Sequence, residues 1–154
     1  MKPIVRLAEP RDYDAVERIM KEVHALHVAW RPDIYSVADP VMSREEFTSI
    51  IERNGMLVAD ERGEVLGLVS FFRRHVGSER QCARNVFFIS DMAVLESWRG
   101  NGIGRMLFDQ VKKMARDSGM DAVELQVNAR NAMARNMYEK YGFTEKSVNM
   151  ELPL

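Results

Sequence analysis

The run Arg99-Gly100-Asn101-Gly102-Ile103-Gly104 carries the densest chemical signal in this 154-residue chain. An apolar stretch, Asn85 to Val94, precedes it, and Ile103, Met106, Leu107, Val111 and Met114 follow at three- and four-residue spacing. A strand therefore passes through a glycine turn into a helix. Glycine lets backbone N–H groups approach a ligand closely, and the first N–H groups of a helix have no internal partner. Such a turn binds anions. A phosphate there also meets the positive end of the helix dipole, worth about 0.3 to 1 kcal/mol when exposed and up to about 2 when partly buried. Arg99 adds a cationic fork. Spacing excludes two other phosphate loops: a dinucleotide fingerprint needs glycine where the chain has Arg105, and a P-loop needs Gly-Lys-Ser/Thr. His24, His27 and His75 have no acidic or thiol partner at metal-ligand spacing, so no metal site is expected.

The elements that must position this turn are legible in outline. Pro3 to Leu7 reads as a short strand, and Pro10 suits the first turn of a helix. That helix carries Val16, Ile19, Met20, Val23 and Leu26 on one face and must stop before Arg31-Pro32. Ser43-Arg44-Glu45-Glu46 is a capping-box pattern ahead of a helix bearing Phe47, Ile50 and Ile51. Met56 to Ala59 and Val65 to Phe72 read as a hairpin across Asp60-Glu61-Arg62-Gly63. Arg73 to Arg84 is polar and reads as a long loop. Asn85 to Val94 is apolar on both faces, so a central strand is expected. Ala122 to Val127 alternates as another strand, and Asn131 can cap a helix from Ala132 to Tyr141 that Gly142 closes. Phe143 to Leu152 reads as one more strand or a pair. With no linker or repeat, residues 1–154 are expected to form a single mixed α/β domain.

Composition narrows the function classes. With 22 Lys plus Arg, 23 Asp plus Glu and a net charge of −1, the chain lacks the basic excess of a nucleic-acid binder. No apolar stretch approaches the roughly 20 residues of a membrane span, and the start has no signal-peptide core, so a cytoplasmic protein is expected. The lone Cys82 cannot form an internal disulfide. The balance hides an asymmetry: Glu9 to Glu64 holds 13 acidic and 7 basic residues, whereas Val65 to Arg130 holds 10 basic and 7 acidic. The positive excess coincides with the anion-binding turn, and the negative excess is expected to frame a cationic partner.

The glycine turn resembles the Arg/Gln-x-x-Gly-x-Gly/Ala signature of the GNAT superfamily of acetyl-CoA-dependent N-acetyltransferases. Ile89-Ser90-Asp91-Met92-Ala93-Val94 resembles that family's central strand. Asn131, Ala134 and Met137-Tyr138-Glu139-Lys140-Tyr141-Gly142-Phe143 resemble its Asn-x-x-Ala-x-x-Leu-Tyr-Glu-Lys-x-Gly-Phe segment. The resemblance implies a central, mostly antiparallel twisted sheet of six to seven strands with about four helices. It implies acetyl-CoA as cosubstrate, with Arg99, Gly100, Asn101, Gly102, Ile103 and Gly104 around the pyrophosphate. Met92, Ala93 and Val94 would run beside the pantetheine arm, and Asn131 would contact the cofactor further along. A homodimer is also expected from the resemblance.

Acetyl transfer to an amine needs the neutral nucleophile. For an amine of pKa near 10.4, deprotonation at pH 7 costs about 4.6 kcal/mol. Asp91, on the central strand, is the leading general base, with Ser90 able to order water and Glu124 a more distant carboxylate. The resemblance makes Tyr138 the general acid toward the leaving thiolate. His24, His27, Trp30, Arg31 and Tyr35 are expected near the acceptor. The acceptor is expected to be a small-molecule amine, with a protein N-terminal amine or noncatalytic acyl-CoA sensing as the alternatives.

Overall fold

The computed structural model describes residues 2–154. Five strands, β1 (Ile4–Leu7), β2 (Met56–Glu61), β3 (Glu64–Ser78), β4 (Gln81–Val94) and β5 (Ala122–Leu125), form one sheet in sequence order. Pairings are antiparallel except β4 with β5, which is parallel. Four α-helices accompany it: α1 (Tyr13–Trp30), α2 (Arg44–Glu52), α3 (Ile103–Asp117) and α4 (Ala132–Tyr141). The mixed α/β class and the mostly antiparallel sheet agree with expectation, but the sheet has five strands among the described residues rather than six or seven. Phe143 to Leu152 forms no strand ladder, and β5 ends at Leu125 instead of Val127.

The expected loop from Arg73 to Arg84 is instead a continuation of β3 and β4 as a long hairpin, turning near Glu79 and Arg80. Its polar residues still hold it together. The Arg73 and Arg74 guanidinium groups lie 5.8 and 4.8 Å from the ring centres of Phe87 and Phe88, and His75 Nδ1 is 2.8 Å from Asn85 Oδ1. Polarity marked exposure here, not irregular backbone.

Helix ends follow the sequence signals. Ser43 Oγ accepts from Glu46 N at 3.0 Å, and Asn131 Oδ1 accepts from Ala134 N at 3.1 Å. The β2–β3 turn places Arg62 and Gly63 at φ 53° and 88°, the paired positive angles of a two-residue hairpin loop.

Helices cover both faces of the sheet. Gly104, at the start of α3, lies against the Met92 methyl, so Met92 faces α3. Asp91 precedes it in β4 and points to the opposite face, toward His27 of α1. The core includes Val16 and Ile19 of α1, Phe47 of α2, Leu66, Leu68 and Val69 of β3, and Leu107 and Phe108 of α3.

Much of the amino-terminal acidic excess is structural. The buried Glu17 carboxylate accepts Val41 N and Met42 N at 3.0 Å, and Tyr13 Oη donates to Met42 O at 2.7 Å, tying the α1–α2 connector to α1. Arg6 donates to Asp12 at 2.8 and 2.9 Å and to Asp60 at 3.0 and 2.7 Å. Burial would raise both carboxyls, but bonds from Arg6, Glu9 N and Gly63 N outweigh it and hold both below the usual range. Their stabilisation is present above the unfolded carboxyl pKa, about 3.9, and is lost as pH falls below it through the folded values. Arg6→Leu is expected to cost about 3 kcal/mol in urea denaturation at pH 7, because it strands two buried carboxylates. The triple variant Arg6→Leu, Asp12→Asn, Asp60→Asn should recover most of that loss; equal midpoints for Arg6→Leu and wild type would refute the role.

Candidate active site

One residue in β4 shapes the site. Ser70 of β3 is opposite Asp91, but the next residue, Phe71, is opposite Ile89, so Ser90 is an extra residue without a partner. Such a bulge bends its strand and increases local twist. The pairing of β4 with β5 runs from Val86↔Ala122 to Ile89↔Leu125 and stops at this point. Beyond it a broad cleft separates β4 from the chain after β5.

The far half of β4 lines that cleft with backbone groups that β3 leaves free. Leu95 N donates to Leu66 O at 2.9 Å, and an antiparallel ladder alternates bonded with outward-facing pairs. Met92 and Val94, opposite Val69 and Gly67, therefore turn their N–H and C=O groups into the cleft. Arg99 Nε already donates to Val94 O at 3.2 Å, which ties the arginine to the strand end.

The glycine turn closes one end. Gly100 and Gly102 have φ 78° and 81°, values that side-chain-bearing residues adopt at a cost. Gly102 is the N-cap of α3, and no side chain caps the helix there. Gly104 has a different reason: an added Cβ would lie 3.0 Å from Met137 Sδ and 3.4 Å from Met92 Cε. The turn thus offers N–H groups at a helix start and lets α4 approach α3. Asn101 differs from the other predicted cofactor residues in not lining the cleft; its side chain turns back to Trp98 O and Arg99 O, both at 3.2 Å.

Asp91 and Tyr138 face the same cleft. Ser70 Oγ donates to Asp91 Oδ2 at 2.7 Å. Burial raises the Asp91 carboxyl, with Ser70 and nearby His27 opposing the shift. No buried polar side-chain atom among the described residues lacks a partner, so Asp91 Oδ1, which makes no protein hydrogen bond, reaches the open cleft. The same holds for the Tyr138 hydroxyl, whose pKa burial raises. The Tyr138 ring is held edge-on between Phe108 at 5.6 Å and Phe143 at 5.8 Å. Tyr141, three residues on, is committed elsewhere: it donates to Asp109 Oδ1 at 2.6 Å, and its pKa is pushed up to about 12 by burial and Asp109. Asn131 lines the cleft while its Oδ1 caps α4.

His24, His27, Trp30, Arg31 and Tyr35 also line the cleft. The His27 ring lies 5.4 Å from Trp30 and 5.2 Å from Tyr35, and Arg130 Nη1 donates to Trp30 O at 2.7 Å. Glu124 is clamped between Arg84 at 3.2 Å and Lys146 at 3.1 Å, which commits it to structure and not to proton removal. The amino-terminal acids largely stay out of the cleft: Asp12, Glu17 and Asp60 are used in the core, and Asp39 pairs with Lys21. Ser70 was missed from sequence; its signal was a lone hydroxyl within the apolar run Val65 to Phe72. The segment Phe143 to Glu151 also borders the cleft, with Lys146 on Glu124 and Glu151 on Arg31 at 2.6 Å. Among the described residues no cluster of His, Cys, Asp and Glu is placed to hold a metal ion.

Comparison with known proteins accords with this geometry. The chain is 31% identical to the Bacillus halodurans protein BH1408, known from the crystal structure of a mutant form, with a TM-score of 0.95 over 98% of this chain and 99% of that one. That alignment runs into the carboxy-terminal segment. A mycothiol acetyltransferase from Amycolatopsis mediterranei is 26% identical over 92% of this chain and 46% of its own length. The chain thus spans under half of that relative. The aminoglycoside N-acetyltransferase AAC(6')-Iy, solved in complex with CoA, shares the fold at 14% identity and a TM-score of 0.73, over 97% of this chain and 98% of that one. The acetyltransferase (GNAT) family model matches residues 20–143, and with the glycine turn, the bulged β4 and the α4 tyrosine in one cleft, the chain belongs to that family.

Proposed function

We propose that residues 1–154 act as one N-acetyltransferase domain that transfers acetyl from acetyl-CoA directly to a small-molecule amine within a ternary complex. The observation that carries this reading is the convergence of three groups in one cleft: the glycine turn, the Asp91–Ser70 pair and the Tyr138 hydroxyl. The outward N–H and C=O groups of Met92 and Val94 suit an extended amide-bearing arm, which they would bind as an added strand. The N–H groups at the start of α3 suit a pyrophosphate. The name of the mycothiol acetyltransferase relative supports a small acceptor.

Acetyl-CoA supplies an activated acyl carbonyl and a thiolate leaving group. Asp91 takes the amine proton, directly or through water at Ser90, and Ser70 fixes the carboxylate orientation. The Val94 N–H meets the developing negative charge on the carbonyl oxygen. Tyr138 donates a hydrogen bond to the departing sulfur. Full proton transfer from a phenol of pKa 10 or above to a thiolate near 8.5 is uphill by about 2 kcal/mol. Tyr138 therefore works chiefly through that hydrogen bond. The wall of His27, Trp30 and Tyr35 orients the amine above Asp91. A GNAT chain of this kind is proposed to work in the cytoplasm.

Asp91→Asn is expected to lower kcat/KM about a hundredfold or more and to remove the acidic limb of its pH profile. A carboxyl whose folded pKa exceeds its unfolded value holds more protons when folded, so stability falls as pH rises through that window. The same variant should therefore melt higher than wild type at pH 7; full activity would exclude Asp91 as the base. Ser70→Ala removes a bond that lowers the Asp91 pKa, so the acidic limb should move to higher pH, and Ser70→Thr should restore it. Tyr138→Phe should reduce kcat at least tenfold at unchanged CoA affinity, and an unaltered kcat would take the hydroxyl out of the mechanism. Gly102→Asp should weaken CoA binding in calorimetry at least tenfold, because it sets a carboxylate on a positive-φ residue at the helix start; wild-type affinity would move the pyrophosphate elsewhere.

A further inference from the structure

The bulge at Ser90 puts a further cation on the same face of the sheet as Asp91. Residues opposite one another in a ladder share a face, and so do alternate residues of one strand. Ser70 is opposite Asp91, Phe72 is opposite Phe88, and Ser70, Phe72 and Arg74 alternate along β3. Phe88 and Asp91 therefore project together, although a regular strand would turn them to opposite faces. The contacts agree: Ser70 Oγ bonds Asp91 at 2.7 Å, the Phe72 and Phe88 rings lie 5.5 Å apart, and the Arg74 guanidinium is 4.8 Å from the Phe88 ring centre. Arg74, Phe88 and Asp91 all line the cleft.

Arg74 is exposed, and among the described residues no carboxylate pairs with it. Glu124, opposite Phe88 in β5 and so on the same face, already takes both Arg84 at 3.2 Å and Lys146 at 3.1 Å. Glu151 is held by Arg31 at 2.6 Å, and Arg130 gives Nη1 to the Trp30 carbonyl. The carboxylates around this end of the cleft are thus neutralised, and positive charge is left over. A guanidinium resting over an aromatic ring keeps in-plane N–H groups that match a carboxylate in a bidentate pair.

We propose that the acceptor is an amine that also carries a carboxylate, with its amine at Asp91 and its carboxylate on Arg74. This rests on the acetyl-transfer reading of the cleft and narrows the acceptor to one class. Phe88, beneath the guanidinium, is separated from Asp91 by about 10 Å of strand at roughly 3.3 Å per residue. A charge-assisted bond of about 2.8 Å at each end leaves about 4 to 5 Å between nitrogen and carboxylate. An α-amino acid holds both groups on one carbon and is too short, whereas an ω-amino carboxylate of about four carbons spans the gap. A diamine of the same length would set an ammonium against Arg74, and a neutral amine would leave Arg74 without a partner.

An NMR titration of the CoA-bound protein tests this without requiring turnover. The probes are 4-aminobutyrate, n-butylamine and 1,4-diaminobutane, which share a chain length and differ in the group far from the amine. 4-Aminobutyrate should bind at least tenfold more tightly than either of the others. Arg74→Leu should erase that difference, and Arg74→Lys should retain part of it. Arg74 is exposed, so the leucine variant keeps its fold. Equal binding of the three amines, or an undiminished preference in Arg74→Leu, would overturn the proposal. Thiol release from acetyl-CoA judges the transferase reading separately: selective binding of 4-aminobutyrate with no release would count against acetyl transfer and leave the carboxylate site standing.

Discussion

Everything in the cleft depends on the unpaired Ser90. A regular β4 would carry its pairing with β5 onward and consume the N–H and C=O groups of Met92 and Val94 in a ladder. With one residue too many, β4 bends, β5 ends at Leu125, and the sheet opens where its strands are otherwise buried. Opening a sheet in its interior leaves unpaired backbone, which is costly unless a ligand or water completes it. The outward backbone of Met92 and Val94 therefore faces the cleft where β5 ends. The same bulge sets which residue faces which helix layer: Asp91 turns toward α1 and Met92 toward α3.

Desolvation acts at both ends of the cleft. It raises the Asp91 carboxyl above the usual aspartate range, while Ser70 and His27 limit the rise. It raises Tyr138 too, which keeps the phenol protonated. One environment thus shifts both groups the same way, because burial disfavours charge on both. The near-neutral charge balance has a related division of labour. Amino-terminal carboxylates hold the core and the α1–α2 connector together, and Arg99 stands at the end of β4 beside the glycine turn.

Particular residues show how far sequence reading reached. The glycine turn, the Asn131 cap and Gly142 were legible because backbone geometry restricts the residues allowed there, so identity reports conformation. The helix spans were legible because one face must be apolar. The Arg73 to Arg84 stretch was misread because an exposed hairpin and a loop share polar composition, and only cross-strand partners such as Arg74 over Phe88 separate them. The strand count was too high because Phe143 to Leu152 has strand periodicity but no partner within its own chain.

Sequence by itself determined the helices, the turn that can hold an anion and the membership of Asp91 and Tyr138 in recognisable segments, since each rests on local spacing. Tertiary structure alone decided that Ser90 is the extra residue, that Ser70 supports Asp91, and that Tyr138 is open to the cleft while Tyr141 is bound to Asp109. It also decided that Glu124 is neutralised by Arg84 and Lys146. These are contacts between residues distant in sequence, where register and burial choose the partner, and no local pattern of residue types encodes that choice.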